Sequence, residues 1–164
     1  MARILITGAS GLLGISLALE AMHEHEVIGM DRGKLTSAPF PVHRWDLSQR
    51  NAIHVVIDSI QPDWLVNCAA MANLDMCERY PTESRILNTE TPGELARVCA
   101  ERDICFVHIS TDAVFDGKKM EPYSEQDQPN PLGVYSRTKL EGERTVQAAN
   151  SRAIVARVNF LAGA

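Results

Sequence analysis

Aromatic residues are scarce in this 164-residue chain, 5% with two tryptophans, and basic charge nowhere outweighs acidic. A formal net charge of −5 leaves nothing to draw a polyanion. Nucleic acid and an anionic membrane surface are therefore excluded as general partners. Long apolar runs are missing too, and none approaches the roughly 20 residues that a membrane-crossing helix needs. Arg3 is followed by only three apolar residues before a glycine turn, too few for the apolar part of a secretory leader. No Cys-x-x-C pair occurs among Cys68, Cys77, Cys99 and Cys105. Cys68, Cys99 and Cys105 lie in apolar runs, which reads as free buried thiols in a reducing cytoplasm. The histidines are dispersed. His23 and His25 share a helix end with no third ligand by spacing, His43 and His54 stand alone, and His108 reads as a hydrogen-bonded residue of an apolar strand. No metal site is expected.

What is present is alternation. Short apolar runs at 3–7, 26–30, 42–45, 64–70, 104–110 and 152–158 read as strands. Helical patterns fill 11–23, 48–60, 73–103 and 132–149, with a break expected at Pro92-Gly93. Ser48 is expected to cap the second helix. A stretch rich in Asp, Gly and Pro, 111–131, reads as a long loop. Strands that are apolar throughout and separated by helices imply a parallel sheet covered on both faces. With right-handed crossovers, this is an α/β, Rossmann-type doubly wound sheet of order 3-2-1-4-5-6, and a single domain over 1–164. No repeat or low-complexity linker interrupts it.

The first strand runs into TGASGLLG, with Gly8, Gly11 and Gly14 spaced three and three. Gly8 permits a tight turn, Gly11 lets backbone approach a ligand, and Gly14 lets the helix pack on the sheet. The helix N-terminus then offers N–H groups to a pyrophosphate. At the end of the second strand, Asp31 can accept both ribose hydroxyls of an adenosine and favours NAD, while its neighbour Arg32 can pair with a 2′-phosphate and favours NADP. The cofactor is thus NAD or NADP, with Asp31 tipping the balance to NAD. Asp46 is placed to reach adenine or, equally, to cap the helix that follows.

Chemistry is carried by two further stretches. Tyr135 and Lys139 are four apart on a helical pattern, so phenol and ammonium can share one cleft. A nearby lysine cation would lower the tyrosine pKa from about 10 and make the phenol a general acid or base. An exposed pair on a solvated face is the plain alternative. Ser110 and Thr111 stand at the carboxyl end of the fifth strand, where a hydroxyl can hold a substrate carbonyl oxygen.

Together TGASGLLG, ISTD (109–112) and YSRTK (135–139) resemble the extended short-chain dehydrogenase/reductase family. The run STDAVFDG…PYSEQDQPNPLGVYSRTKLEGE, with QPDWLVNCAA, LDMCERYP and Asn88, is most similar to its dTDP-4-dehydrorhamnose reductase group. That resemblance implies a cytoplasmic NAD(P)-dependent reductase of a 4-keto sugar nucleotide. Tyr135 would protonate the alkoxide, Lys139 would bind the nicotinamide ribose, and Thr111 would orient the keto oxygen. Cofactor contacts are implied for Gly8, Ser10, Gly11, Leu12, Asp31, Arg32, Asp46, Leu47, Ala69, Ala70 and Lys139. Two alternatives accompany it: a non-catalytic regulatory subunit similar to that of methionine adenosyltransferase, and a sugar-nucleotide epimerase or dehydratase.

Departures from the group's pattern are visible. Ala113 stands where an aromatic is usual, and Phe160 takes a position usually held by Trp. The family's chain also continues, so residues 1–164 are read as its dinucleotide-binding domain, with the substrate-binding C-terminal part outside this chain. The acidic surface and the open sheet edge are compatible with a homodimer.

Overall fold

A computed structural model describes residues 1–33, 35, 37–49 and 53–159. Its elements are β1 (Arg3–Thr7), α1 (Leu12–Ala21), β2 (Glu26–Asp31), β3 (Val42–Arg44), α2 (Ile53–Ile60) and β4 (Trp64–Asn67). There follow α3 (Leu74–Arg79), α4 (Pro81–Arg85), a π turn (Ile86–Glu90), α5 (Thr91–Glu101) and β5 (Cys105–Thr111). A 3-10 turn (Asp112–Val114), α6 (Val134–Ala149) and β6 (Ile154–Val158) complete the described chain. The six strands form one parallel sheet of order β3-β2-β1-β4-β5-β6, as the alternation implies.

Neighbouring residues of a strand point to opposite faces, and here both faces are buried. Leu5, Leu65 and Phe106 pack beneath Ile53, Val56 and Ile57 of α2, Leu95 and Val98 of α5, and Val146 of α6. Ile6, Val27 and Val66 pack on the other side with Ala9, Ala18 and Phe40. Each such aliphatic or aromatic side chain contributes about 2 kcal/mol by leaving water.

Several boundaries differ from the sequence reading, each for a local reason. β4 ends at Asn67 rather than Ala70, because Cys68 N donates to Thr7 O and the chain then passes under the Gly8 turn. The segment 73–103 is not broken at Pro92-Gly93. It breaks at Tyr80, and Pro92 sits at the start of α5 just after the π turn, where Thr91 N bonds Ile86 O. Proline lacks the N–H that Asn88 O would otherwise accept, and that carbonyl instead faces α6 at Gly142. The Ser48 N–H closes a turn on the Asp46 carboxylate, and α2 is described from Ile53; the cap expected of Ser48 falls at 50–52, outside the described residues. The four cysteines are unpaired, but Cys105 is exposed at the first position of β5, whereas Cys77 is buried.

The contact between α6 and the π turn leaves no room. A Cβ on Gly142 would stand 2.1 Å from Asn88 O. Gly142→Ala should therefore lower unfolding stability by about 2 kcal/mol, the usual range for forced overpacking. Urea unfolding followed by circular dichroism checks it, and an unchanged midpoint would contradict the packing described.

Candidate active site

The carboxyl ends of β1, β2 and β4 surround a cleft of about 310 Å³. Its walls include Gly8, Ser10, Gly11, Asp31, Arg32, Asp46, Leu47, Ala69 and Ala70, so most residues implied for a dinucleotide come together there. Cys68, which precedes Ala69 and Ala70 in the same run, lines it too; Trp45, Met71 and Leu87 also line it and were not foreseen. Leu12 and Gly14 are not among the lining residues. Leu12 is exposed at the first turn of α1, and Gly14 is buried against the Gly8 carbonyl, where a Cβ would come within 2.2 Å.

The glycine turn is built by backbone close approach. Gly8 has φ +69°, and a Cβ on it would lie 2.7 Å from Ala69 N. The turn consumes more of its own amides than the sequence suggests. Gly8 N and Ala9 N donate to Met30 O, Gly11 N to Gly8 O, and Ser10 N to Asp31 Oδ2. The first bond of α1 runs from Ile15 N to Gly11 O, so the amides of Leu12, Leu13 and Gly14 precede the helical ladder. These are the donors that an anion would meet; Leu13 was missed because no side-chain signal marks a backbone donor. Asp31 is itself structural, since its other oxygen accepts from Gly33 N at 2.9 Å. Arg32 is exposed beside it, and Arg44 Nε donates to Arg32 O. The Ser48 amide and hydroxyl hold the Asp46 carboxyl below its ordinary value.

Beyond the cleft, α6 brings Tyr135 and Lys139 toward the end of β5. Its N-terminus is pinned: Glu78 accepts from Val134 N at 2.8 Å, a carboxylate on the positive end of a helix. Ser136 Oγ bonds both N and O of Gly133. The half-buried Tyr135 phenol hydrogen-bonds the Thr111 hydroxyl, which also accepts from Ala113 N at 3.1 Å. Thr111 and Tyr135 thus stand together. Lys139 is 2% exposed, and its Nζ donates to Ile109 O at 2.6 Å.

The electrostatics depart from expectation at the phenol. Burial raises the Tyr135 pKa above its usual value, partly opposed by the Thr111 hydrogen bond, and the lysine exerts no resolved pull on it. Lys139 is the group that moves: burial brings it down to about 8, against the raising influence of Glu143 and Cys68. Proton donation by a neutral phenol is therefore favoured over a standing phenolate.

One turn further along α6, Glu143 closes the line. It accepts from Ser110 Oγ at 2.5 Å and forms a two-pronged pair with Arg157 of β6. The Arg157 guanidinium lies over the Phe115 ring, which stacks on Tyr123 with centroids 4.3 Å apart. The stretch expected to be a loop is strongly organised. Asp116 accepts from Tyr123 Oη, Asn130 Nδ2 and Lys118 N, and its carboxyl falls to about 2. Phe160 lies outside the described residues. Among the described residues, no group of three or more His, Cys, Asp or Glu gathers around a metal position, and no helix is long and apolar enough to cross a membrane.

A doubly wound parallel sheet with a glycine turn on its first strand and a Thr–Tyr–Lys group at its fifth is an extended short-chain dehydrogenase/reductase architecture. Comparison with known proteins narrows this class: residues 2–164 match the family described as RmlD substrate binding domain, and the chain belongs to it. It is 39% identical to methionine adenosyltransferase 2 subunit beta of Bos taurus over 162 residues, covering 98% of this chain and 47% of that protein. It is 38% identical to the dTDP-4-dehydrorhamnose reductase of Mycobacterium tuberculosis over 163 residues, covering 97% and 50%. A crystal structure of dTDP-4-dehydrorhamnose reductase from Bacillus anthracis in complex with NADP superimposes with a TM-score of 0.87 at 28% identity, covering 99% and 55%. The chain thus spans about half the length of the relatives it matches.

A buried cation is costly to keep. The Lys139 pKa is lower folded than unfolded, so between about 8 and 10.5 the unfolded state binds the extra proton. Stability should accordingly rise with pH across that window, and below it the lysine destabilises the fold. Lys139→Met should raise the thermal midpoint at pH 7 and flatten its rise above pH 8. A lowered midpoint at every pH would contradict this.

Proposed function

We propose that this chain is the dinucleotide-binding part of an NAD(P)-dependent reductase acting on a 4-keto sugar nucleotide. The observation that carries this reading is the Tyr135 phenol bonded to Thr111 at the carboxyl edge of β5, beside buried Lys139 and the glycine-turn cleft. A dinucleotide fits these residues. Backbone contacts at Gly8 and Gly14 exclude any side chain, and the first amides of α1 precede the helical ladder, as a pyrophosphate site requires. Its adenosine would lie along Ala69 and Ala70, between Asp31, Arg32 and Asp46. A bound reduced nicotinamide supplies the hydride.

The chain's own residues do the rest. Thr111 directs its hydroxyl to the keto oxygen, and Tyr135 gives that oxygen a proton as negative charge develops. A phenol kept neutral by burial holds the proton until it is needed. Lys139 binds the nicotinamide ribose and restores the Tyr135 proton, a task that suits an amine titrating near 8. This half of the protein builds the cofactor side, and the remaining length of its relatives would supply the sugar-nucleotide wall. Both oxygens of Asp31 already hold backbone amides, while Arg32 is exposed with Arg44 beside it. This pattern supports acceptance of NADP as well as NAD.

A second reading has a specific observation behind it, the 39% identity to a methionine adenosyltransferase subunit. In that case the cofactor cleft would serve binding without turnover. Full-length protein, carrying the sugar-nucleotide wall as well, incubated with NADPH and dTDP-4-dehydrorhamnose separates the two, since only the reductase consumes NADPH. Tyr135→Phe should then lower kcat by at least 100-fold, within the usual range for loss of a general acid, and leave NADPH affinity nearly intact. NADPH fluorescence enhancement measures that affinity. Arg32→Ala should weaken NADPH about tenfold more than NADH, the loss of one charge-assisted phosphate contact. Equal weakening of both would remove Arg32 from the 2′-phosphate.

A further inference from the structure

One polar line crosses the apolar interior, and the chemistry above makes no use of it. Thr7, Asn67 and His108 are lateral neighbours in register across β1, β4 and β5, each at most 1% exposed. Two residues earlier, the same three strands place Leu5, Leu65 and Phe106 in the core. A polar rung at this point survives only through its own bonds. The Thr7 hydroxyl donates to Asn67 Oδ1 at 2.6 Å, and Asn67 Nδ2 lies 3.0 Å from His108 Nδ1. His108 Nε2 then stands 3.5 Å from Lys139 Nζ.

Counting protons gives the rung a direction. Thr7 has one hydroxyl proton, and giving it to Asn67 Oδ1 turns the amide N–H₂ toward the imidazole. His108 Nδ1 must therefore accept. A neutral imidazole then carries its proton on Nε2, facing Lys139. Burial and the lysine cation both hold His108 in its neutral form. An N–H directed at Nζ offers no acceptor to an ammonium, whose nearest acceptor is Ile109 O.

We propose that the Thr7–Asn67–His108 rung positions Lys139, by holding His108 as the neutral Nε2–H form so that the lysine bonds Ile109 O and turns its remaining protons toward the cleft. His108 touches no reacting atom and is a positioning residue. The proposal rests on reading Lys139 as the site lysine. The other ionisable groups that bear on Lys139 are Glu143 on α6 and Cys68 after β4, with Arg157 of β6 paired to Glu143.

Two measurements test it. Nitrogen-15 NMR of histidine-labelled protein should show His108 as the Nε2–H tautomer, unchanged from about pH 5 to 9, the range in which an ordinary histidine titrates. Thr7→Val, which frees the Asn67 amide to turn over, should introduce the other tautomer. An Nδ1–H form in the unaltered protein, or titration in that window, overturns the proposal. This readout needs no turnover, so it stands or falls apart from the reductase reading, whose own failure would appear as no NADPH consumption.

The second measurement is the pH dependence of kcat/KM in His108→Gln, His108→Asn and His108→Phe. Glutamine keeps an N–H near the Nε2 position, while asparagine keeps only the partner of Asn67. Asparagine and phenylalanine should lower kcat on the order of 100-fold, the scale of a misplaced reacting group, and move the lysine-dependent limb to higher pH. Glutamine should restore most of both. A uniform loss in all three variants, with the limb unmoved, would mean that His108 serves the fold alone and would overturn the proposal.

Discussion

Backbone lies directly on backbone where β1 leaves the sheet, and the site depends on that contact. A Cβ on Gly8 would sit 2.7 Å from Ala69 N and 2.9 Å from Cys68 C. Nothing larger than hydrogen can stand there, so the β1 turn and the segment after β4 form one rigid floor. Gly14 repeats the device a turn later by bringing α1 down onto the Gly8 carbonyl. The cleft walls are therefore main chain over much of their extent, and the N-terminus of α1 is aimed by sterics rather than by a capping side chain, which α1 lacks.

The opposite wall is held by buried charge. Tyr135, Lys139 and Glu143 follow one another at four-residue spacing, so a single helix face carries phenol, amine and carboxylate. Desolvation would expel the latter two unless they were compensated. Glu143 finds Arg157 and Ser110, and Lys139 finds the Ile109 carbonyl. The register of α6 over β5 and β6 is thereby coupled to the placement of the phenol and the amine. A helix that slid by one turn would strand the carboxylate and the amine together. Asn88 ties the same helix to the cofactor side, since its amide bonds both N and O of Met71 and also reaches Thr138 Oγ1.

Sheet order and strand identities were legible because both faces of a parallel sheet demand continuous apolar runs, and RILIT, EVIGM and ICFVHIS have no other plausible home. Glycine spacing located the turn that walls the cleft, and the Tyr135–Lys139 interval put both groups on one face of α6, each being a geometric requirement written in residue type. What escaped depends on partners distant in sequence. Pro92 reads locally as a helix breaker, yet the π turn before it and Gly142 of α6 absorb the lost bond. The loop at 111–131 reads as irregular, yet Asp116 gathers Tyr123 and Asn130 around one carboxylate. The direction of the Tyr135 shift escaped as well, because spacing puts a lysine nearby but cannot say that its proton goes to Ile109 O.

Thr111 shows how these layers meet in one atom. Its hydroxyl accepts from Ala113 N at 3.1 Å, donates to Asp112 Oδ1 at 3.3 Å, and meets the Tyr135 phenol. A hydroxyl has two lone pairs and one proton. With one lone pair held by the backbone of the 3-10 turn and the proton directed at Asp112 Oδ1, the other lone pair is left for the phenol. The turn after β5 thus orients the hydroxyl through main-chain geometry, independent of the side chain at Ala113.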